Sequence, residues 1–116
     1  MLNQKISFYI PSTYNGNNLT SVKEFDDRAL EIAKKFGDLF GGFTISENNL
    51  GGWISENGDL VIESVKHVVA FTDAVGLKKN RQVVVQLAVD KAREWKQEAV
   101  SVEFIEVQGG LSFISG

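Results

Sequence analysis

The stretch from Leu60 to Thr72 constrains the fold of this chain more than any other segment. It is rich in valine and isoleucine, whose branched side chains favour extended backbone, so we predict one long strand there. Apolar side chains of one predicted face are Val61, Val65, Val69 and Phe71, and those of the other are Leu60, Ile62, Val68 and Ala70. A strand with apolar residues on both faces is covered from both sides or lies in an interface.

An amphipathic helix is predicted before this strand. Ser21 and Glu24 have the spacing of a capping box, in which side chains satisfy the free amides at a helix start. Apolar residues then recur at steps of three and four as far as Phe36, which makes one buried stripe. Gly37 follows the stripe and is predicted to end the helix as a left-handed cap.

A second helix is predicted after the long strand, over residues 81–98, with Asn80 as its N-cap. Its buried stripe includes Val84, Ala88 and Trp95, and we assign Trp95 to the core. The preceding segment, residues 73–79, is predicted to be a connector.

The predicted strands are residues 5–10, a strand near 43–45 that resumes at 53–55, residues 60–72, residues 102–107 and a short extra strand at 111–114. Asn57-Gly58 predicts a hairpin with a type I′ turn, because both central residues of that turn need positive φ.

The order strand, helix, strand, strand, helix, strand is the split βαβ pattern. Right-handed crossovers would place both helices on one face of an antiparallel sheet. We therefore predict one α+β domain over residues 1–116: a ferredoxin-like β-α-β-β-α-β sandwich with a β-hairpin inserted between residues 45 and 62.

Composition excludes several classes of function. The chain has no cysteine, which removes disulfides, thiolate nucleophiles and thiolate metal sites. A net charge of -3 gives no overall attraction to nucleic acid or to an anionic membrane. No secretory signal is recognised, and the longest apolar run, Val68 to Phe71, is too short to span a bilayer. We predict a cytoplasmic bacterial protein without cofactor or metal.

One candidate site is basic. Lys78, Lys79 and Arg81 surround Asn80 at the predicted start of the second helix. Free backbone amides at a helix N-terminus bind phosphate or carboxylate groups, and these side chains would support a small anionic ligand. The alternative is a solvated basic turn.

The remaining candidate ligand-binding residues are Tyr9, Tyr14, Trp53 and His67. Trp53 follows two glycines in the predicted hairpin, where it either stacks on a ligand or covers the sheet. His67 shares a strand face with Glu63, but four residues of strand separate them by about 13 Å, too far to share a metal. The default for His67 is a position beside solvent or at a subunit contact. No nucleophile motif or set of catalytic residues is recognised.

Several short motifs occur together in one part of the chain. They are Phe40-Gly41-Gly42-Phe43-Thr44, then Gly52-Trp53, then Glu63 and the valine-rich strand that ends at Phe71. Over residues 36–73 the chain resembles uncharacterised bacterial domains of ferredoxin-like topology. The resemblance implies that fold and carries no established activity. By analogy of fold it suggests dimeric α/β barrels, which include small-molecule enzymes and small-ligand binders.

These observations leave three hypotheses about function. The first is a non-enzymatic binding or regulatory module that forms a homodimer through the open face of its sheet. The second is a small-molecule enzyme of the dimeric α/β-barrel type, with Tyr9, Tyr14 or His67 as polar groups in a cleft. The third is a protein-interaction factor from a phage or mobile element.

Overall fold

A computed structural model of the protein describes residues 2–110, except for the side chains of Glu47 and Asn48. Its elements in chain order are β1 (Gln4–Pro11), β2 (Thr13–Tyr14), β3 (Asn18–Leu19), α1 (Val22–Phe40), β4 (Thr44–Ile54), β5 (Leu60–Thr72), α2 (Ala74–Glu94) and β6 (Val102–Glu106). The extra strand predicted at residues 111–114 lies outside the described residues. Neither α1 nor α2 is apolar enough over a sufficient length to cross a membrane.

The main sheet has four strands in the order β4-β5-β1-β6, and every neighbouring pair is antiparallel. Strands β2 and β3 form a separate short ribbon after β1. This arrangement is the ferredoxin-like topology, so the predicted α+β fold is confirmed.

The core lies on one face of this sheet. Alternation along β1 turns Ile6, Phe8 and Ile10 toward the helices, where each is 0% exposed. Phe8 makes edge-to-face contacts with Phe36 of α1 and with Trp95, at ring-centroid distances of 6.1 and 6.3 Å. Both helices therefore pack on the same face, and the assignment of Trp95 to the core is confirmed.

Helix α1 ends later than predicted. Gly37 lies inside the helix, and Gly41 is the cap, with a φ of 86° and its amide donating to the Gly37 carbonyl at 2.9 Å. The prediction was wrong because the apolar stripe continues for another turn to Phe40, whose ring packs on Phe36 at 5.5 Å. The Ser21 cap is confirmed, since its hydroxyl accepts from the Glu24 amide.

Helix α2 begins at Ala74 rather than at residue 81. Asp73 is the N-cap, and its carboxylate accepts from the Gly76 amide at 2.7 Å. The predicted cap at Asn80 is wrong. Gly76 made residues 73–79 look like a connector in the sequence. The Asp73 cap stabilises this first turn, and one glycine lowers helix stability only a little.

Strand β4 is continuous from Thr44 to Ile54, with a register irregularity between Ser46 and Asn49. The predicted hairpin is therefore the distal part of β4 and β5 rather than a separate pair of strands. Its turn lies at Asn57-Gly58 as predicted, but only Gly58 has positive φ, at 82°. The Gly58 amide donates to the Ser55 carbonyl, so the turn is a three-residue loop with a glycine bulge instead of type I′.

Candidate functional site

The open face of the sheet carries a cleft at the end where β1 leads into the β2–β3 ribbon. Two adjoining hollows of about 420 and 780 Å³ share Glu63, Gln97 and Ala99. Their walls come from the sheet, from the ribbon and from residues 95–101, the connector between α2 and β6. The further residues that line them are Tyr9, Pro11, Asn15, Gly16, Trp53, Val65, Lys96, Glu98, Val100, Ser101 and Glu103.

Hydrogen bonds hold these walls together. The Asn15 amide donates to the Lys96 carbonyl at 3.0 Å, which ties the ribbon to the connector. Nε2 of Gln97 donates to the Thr13 carbonyl at 2.5 Å, beside the first bond. The Tyr9 amide donates to the Ser101 carbonyl at 3.0 Å, which joins the connector to β1. The cleft is therefore largely formed before any ligand arrives.

Glu63 is the central carboxylate of this cleft. It projects from β5 opposite Gly51 of β4, which offers no side chain to cover it. A Cβ at Gly51 would lie 2.9 Å from Cγ2 of Val65, so a larger residue there would have to displace the Val65 side chain. The Thr13 hydroxyl donates to Oε2 of Glu63 at 2.8 Å. Among the described residues, the other carboxylate oxygen has no hydrogen-bond partner.

A buried arginine lies behind the cleft. Arg28 of α1 is 3% exposed, and its Nη1 donates to the carbonyls of Pro11 and Thr13 at 2.8 and 2.9 Å. Burial lowers the pKa of Arg28, and the nearby carboxylates of Glu24, Glu63 and Glu94 partly offset that effect. The guanidinium fixes the chain where β1 leaves the sheet and adds positive charge behind Glu63.

Two of the predicted residues meet at the sheet. Tyr9 and His67 are paired across β1 and β5, with ring centroids 4.2 Å apart. Burial, and then the charge of Lys5, lower the pKa of His67, which disfavours the charged form of the ring. Tyr9 lines the cleft, and Trp53 enters it from the neighbouring hairpin with 38% of its surface exposed.

Tyr14 does not join this cleft. It is 38% exposed and lines a separate hollow with Arg28 and Trp95, on the far side of the ribbon. The second hypothesis expected Tyr9, Tyr14 or His67 as polar groups in a cleft between helices and sheet; of these, Tyr9 lines the open-face cleft and Tyr14 lines the other hollow.

The basic residues predicted to support an anion do not lie at a helix N-terminus. Lys78, Lys79, Asn80 and Arg81 lie inside α2, after its first turn, where backbone amides are bonded within the helix. Asn80 donates to the Leu39 carbonyl at 3.3 Å, and the Arg81 guanidinium lies 4.1 Å from the centre of the Phe104 ring. The prediction that a helix N-terminus lies beside these cations is wrong.

Sequence reasoning missed Thr13, Arg28, Gln97 and Glu103. Gln97 fell at the end of the helix predicted over residues 81–98, and no local pattern singled out the other three residues. One signal was available: Glu63 is a carboxylate within a valine-rich strand, where burial disfavours charge unless it has a role.

Another hollow, of about 480 Å³, lies between α2 and β6. It is lined mainly by apolar side chains, including Val85, Val89, Val102 and Phe104. Its polar side chains are Arg93, Gln97 and Glu98, and it has no tyrosine or tryptophan ring, whereas the open-face cleft combines such rings with fixed polar groups. A small ligand is oriented by such polar groups, so the open-face cleft is the better candidate site.

The chemistry of the open-face cleft favours a positively charged organic ligand. Glu63, Glu98 and Glu103 supply three carboxylates, against one ammonium from Lys96. The rings of Tyr9 and Trp53 offer π faces, which attract cations and stack on planar groups. Across the described part of the chain, no group of three histidine or acidic side chains is close enough to hold a metal ion.

Comparison with known proteins identifies the fold alone. No family model matches the chain, and no curated protein matches it. The structure is similar to that of a phage S-adenosylmethionine lyase in complex with S-methyl-5′-thioadenosine. The TM-score is 0.60 at 16% sequence identity, and the match covers 90% of this chain and 81% of the lyase chain. At that identity the likeness supports the ferredoxin-like fold.

Proposed function

We propose that the open-face cleft of this protein binds a sulfonium nucleoside such as S-adenosylmethionine. The observation that carries the proposal is the Glu63 carboxylate, which Thr13 holds in a cleft whose two hollows are lined by the rings of Tyr9 and Trp53. A sulfonium or ammonium group is attracted by a carboxylate and by aromatic faces, and a purine stacks on such faces. The solved structure with a similar fold acts on S-adenosylmethionine, which supports the same class of ligand here.

The cleft also indicates the sign of the ligand's charge. The small anionic ligand expected from Lys78, Lys79 and Arg81 depended on a helix N-terminus that lies elsewhere. Carboxylates outnumber cations around the open-face cleft, so an anion would be repelled there and a cation attracted.

Titration calorimetry with the whole chain tests the proposal. S-adenosylmethionine should bind, and at 100 times its Kd it should stabilise the fold by about 2.7 kcal/mol. Glu63→Gln should weaken binding by about 10-fold or more, because a charge-assisted contact is lost. Asp38→Asn is the matched control, since it removes the same charge from an exposed position on α1. Absence of binding at millimolar ligand would overturn the proposal.

A second candidate function is cleavage of that ligand, favoured by the match of fold over 90% of this chain to a lyase. Cleavage breaks one carbon–sulfur bond and leaves the electron pair on sulfur, so the sulfonium becomes a neutral thioether. The aminoalkyl carbon released from sulfur bonds to the ligand's own carboxylate oxygen, which closes a ring without any proton transfer. Chromatography would detect the released methylthioadenosine. Quantitative recovery of intact ligand after prolonged incubation would exclude cleavage and leave binding as the function.

We also propose that a second copy of the chain covers the rest of the open face, as the homodimer prediction stated. Phe71, Lys5 and Ile105 form one row across three strands, at the end of β5 away from Glu63. Ile105 is 38% exposed and Phe71 is half-buried, so an apolar surface remains there without a helix to cover it. Light scattering on a sizing column should give twice the mass of one chain. A monomer at micromolar concentration would contradict the homodimer proposal.

The remaining sequence predictions stay predictions. They are a regulatory role, an origin in a phage or mobile element, and a cytoplasmic location in a bacterium. The name of the similar structure, a phage protein, is compatible with the second of these.

A further inference from the structure

Glu63 belongs to a chain of contacts that begins inside the protein. Nη1 of the buried Arg28 holds the Thr13 carbonyl at 2.9 Å, and Nε2 of Gln97 holds the same oxygen at 2.5 Å. Thr13 itself is only 1% exposed. Its backbone is therefore fixed by a charged donor from α1 and by an amide donor from the α2–β6 connector.

The fixed backbone of Thr13 determines where its hydroxyl points. That hydroxyl donates to Oε2 of Glu63 at 2.8 Å, across fifty positions of sequence. A glutamate side chain on an open sheet face ordinarily samples several rotamers, and a ligand must then restrict them at an entropic cost. Here one carboxylate oxygen is held by Thr13 before any ligand binds.

We propose that Arg28 and Thr13 are positioning residues that make the cleft selective for a cationic ligand over its neutral counterpart. This inference depends on the proposed function and assigns the charge selectivity of that same site. The Thr13 hydroxyl holds the Glu63 carboxylate in place, and Arg28 holds Thr13. Neither residue needs to touch the ligand's charged centre.

The test compares two ligands that share a nucleoside and differ in charge at sulfur. S-adenosylmethionine carries a sulfonium, and S-adenosylhomocysteine is the thioether that lacks only the methyl group on sulfur. Thr13→Val removes the hydroxyl and keeps the shape of the side chain, whereas Thr13→Ser keeps the hydroxyl. Thr13→Val should weaken binding of S-adenosylmethionine by about 10-fold and leave S-adenosylhomocysteine within about 2-fold, since only the sulfonium uses the ordered carboxylate. Thr13→Ser should behave like the wild type toward both.

A purely structural role would give a different pattern. Equal weakening of both ligands in Thr13→Val, or no change in either, would overturn the inference. Arg28→Lys serves as a second variant, because one ammonium cannot reach both carbonyls in the same geometry. Arg28→Lys should lower the selectivity for the cationic ligand by a smaller factor than Thr13→Val does. Unchanged selectivity would count against a positioning role for Arg28.

A crystallographic readout separates this inference from the proposed function. The Glu63 side chain should be ordered toward Thr13 in the wild type and in Thr13→Ser, and displaced in Thr13→Val. If the wild type binds neither ligand, the proposed function fails, and the order of Glu63 alone then decides whether Thr13 positions it. An unmoved Glu63 in Thr13→Val would overturn the positioning role in either case.

Discussion

The two faces of the sheet are built from alternate residues of the same strands and differ in almost every physical property. Toward the helices, Val68 is 0% exposed and packs in the apolar core, at whose margin Lys66 of the same face is also buried. One residue along the same strand, Val69 is half-buried on the open face, near the ring pair of Tyr9 and His67. The first face is closed by α1 and α2, whereas the ribbon and the α2–β6 connector cover only one end of the second.

The two faces place different physical constraints on the side chains that occupy them. On the helix face, close packing selects side chains by volume, because a void or a clash costs stability. On the open face, volume matters less, and polar groups such as Glu63 are kept in place by hydrogen bonds from outside the sheet. The candidate site therefore lies where the fold tolerates charge, at the edge of its best-packed region.

The largest expected effect comes from testing the two faces with neighbouring valines. Val68→Ala should lower the free energy of unfolding by about 2–3 kcal/mol, since buried methyl groups are lost and a cavity remains. Val69→Ala should cost about 1 kcal/mol, because that side chain is already in contact with water. Urea denaturation at low protein concentration measures both. Equal losses would show that a second copy or another segment closes the open face.

A smaller effect is expected at the hairpin that carries Trp53 and Glu63. A Cβ at Gly52 would lie 2.6 Å from the Val61 carbonyl oxygen, so Gly52→Ala must displace backbone. We expect a loss of about 1–2 kcal/mol in unfolding free energy. Gly42→Ala is the control, because no atom lies within 4 Å of its added Cβ. Similar stability of the two variants would mean that the backbone of the hairpin can shift at little cost in free energy.

The smallest effect concerns pH and belongs to the open face alone. His67 has a pKa below its usual value of 6.5 in the folded protein, through burial and then the charge of Lys5. The unfolded chain therefore binds a proton at a higher pH than the folded chain, and stability falls as pH drops below about 6.5. Unfolding measured near pH 7.5 and again near pH 5 should show a smaller loss in His67→Gln than in the wild type. An identical loss in both proteins would assign the pH dependence to other groups.

The helix face was largely predictable from the sequence. The period of two in β1 and the steps of three and four in α1 each report which residues meet the core. The ends of the helices were less predictable. Gly37 and Gly41 are both plausible caps, and the choice depends on the packing of Phe40 against Phe36, which is a tertiary contact. Asp73 and Asn80 present the same ambiguity at the start of α2.

The sequence by itself determined the ferredoxin-like order of elements, the antiparallel sheet and the composition of its core, because hydrophobic periodicity is a local property of the chain. Only the tertiary structure decided the site, because Thr13, Glu63 and Gln97 come from three distant segments and meet through long-range hydrogen bonds. No local pattern records such a meeting. The same reason explains why the predicted basic site was misplaced. Its residues are neighbours in sequence, but they lie inside α2, where the backbone amides that an anion would need are already bonded.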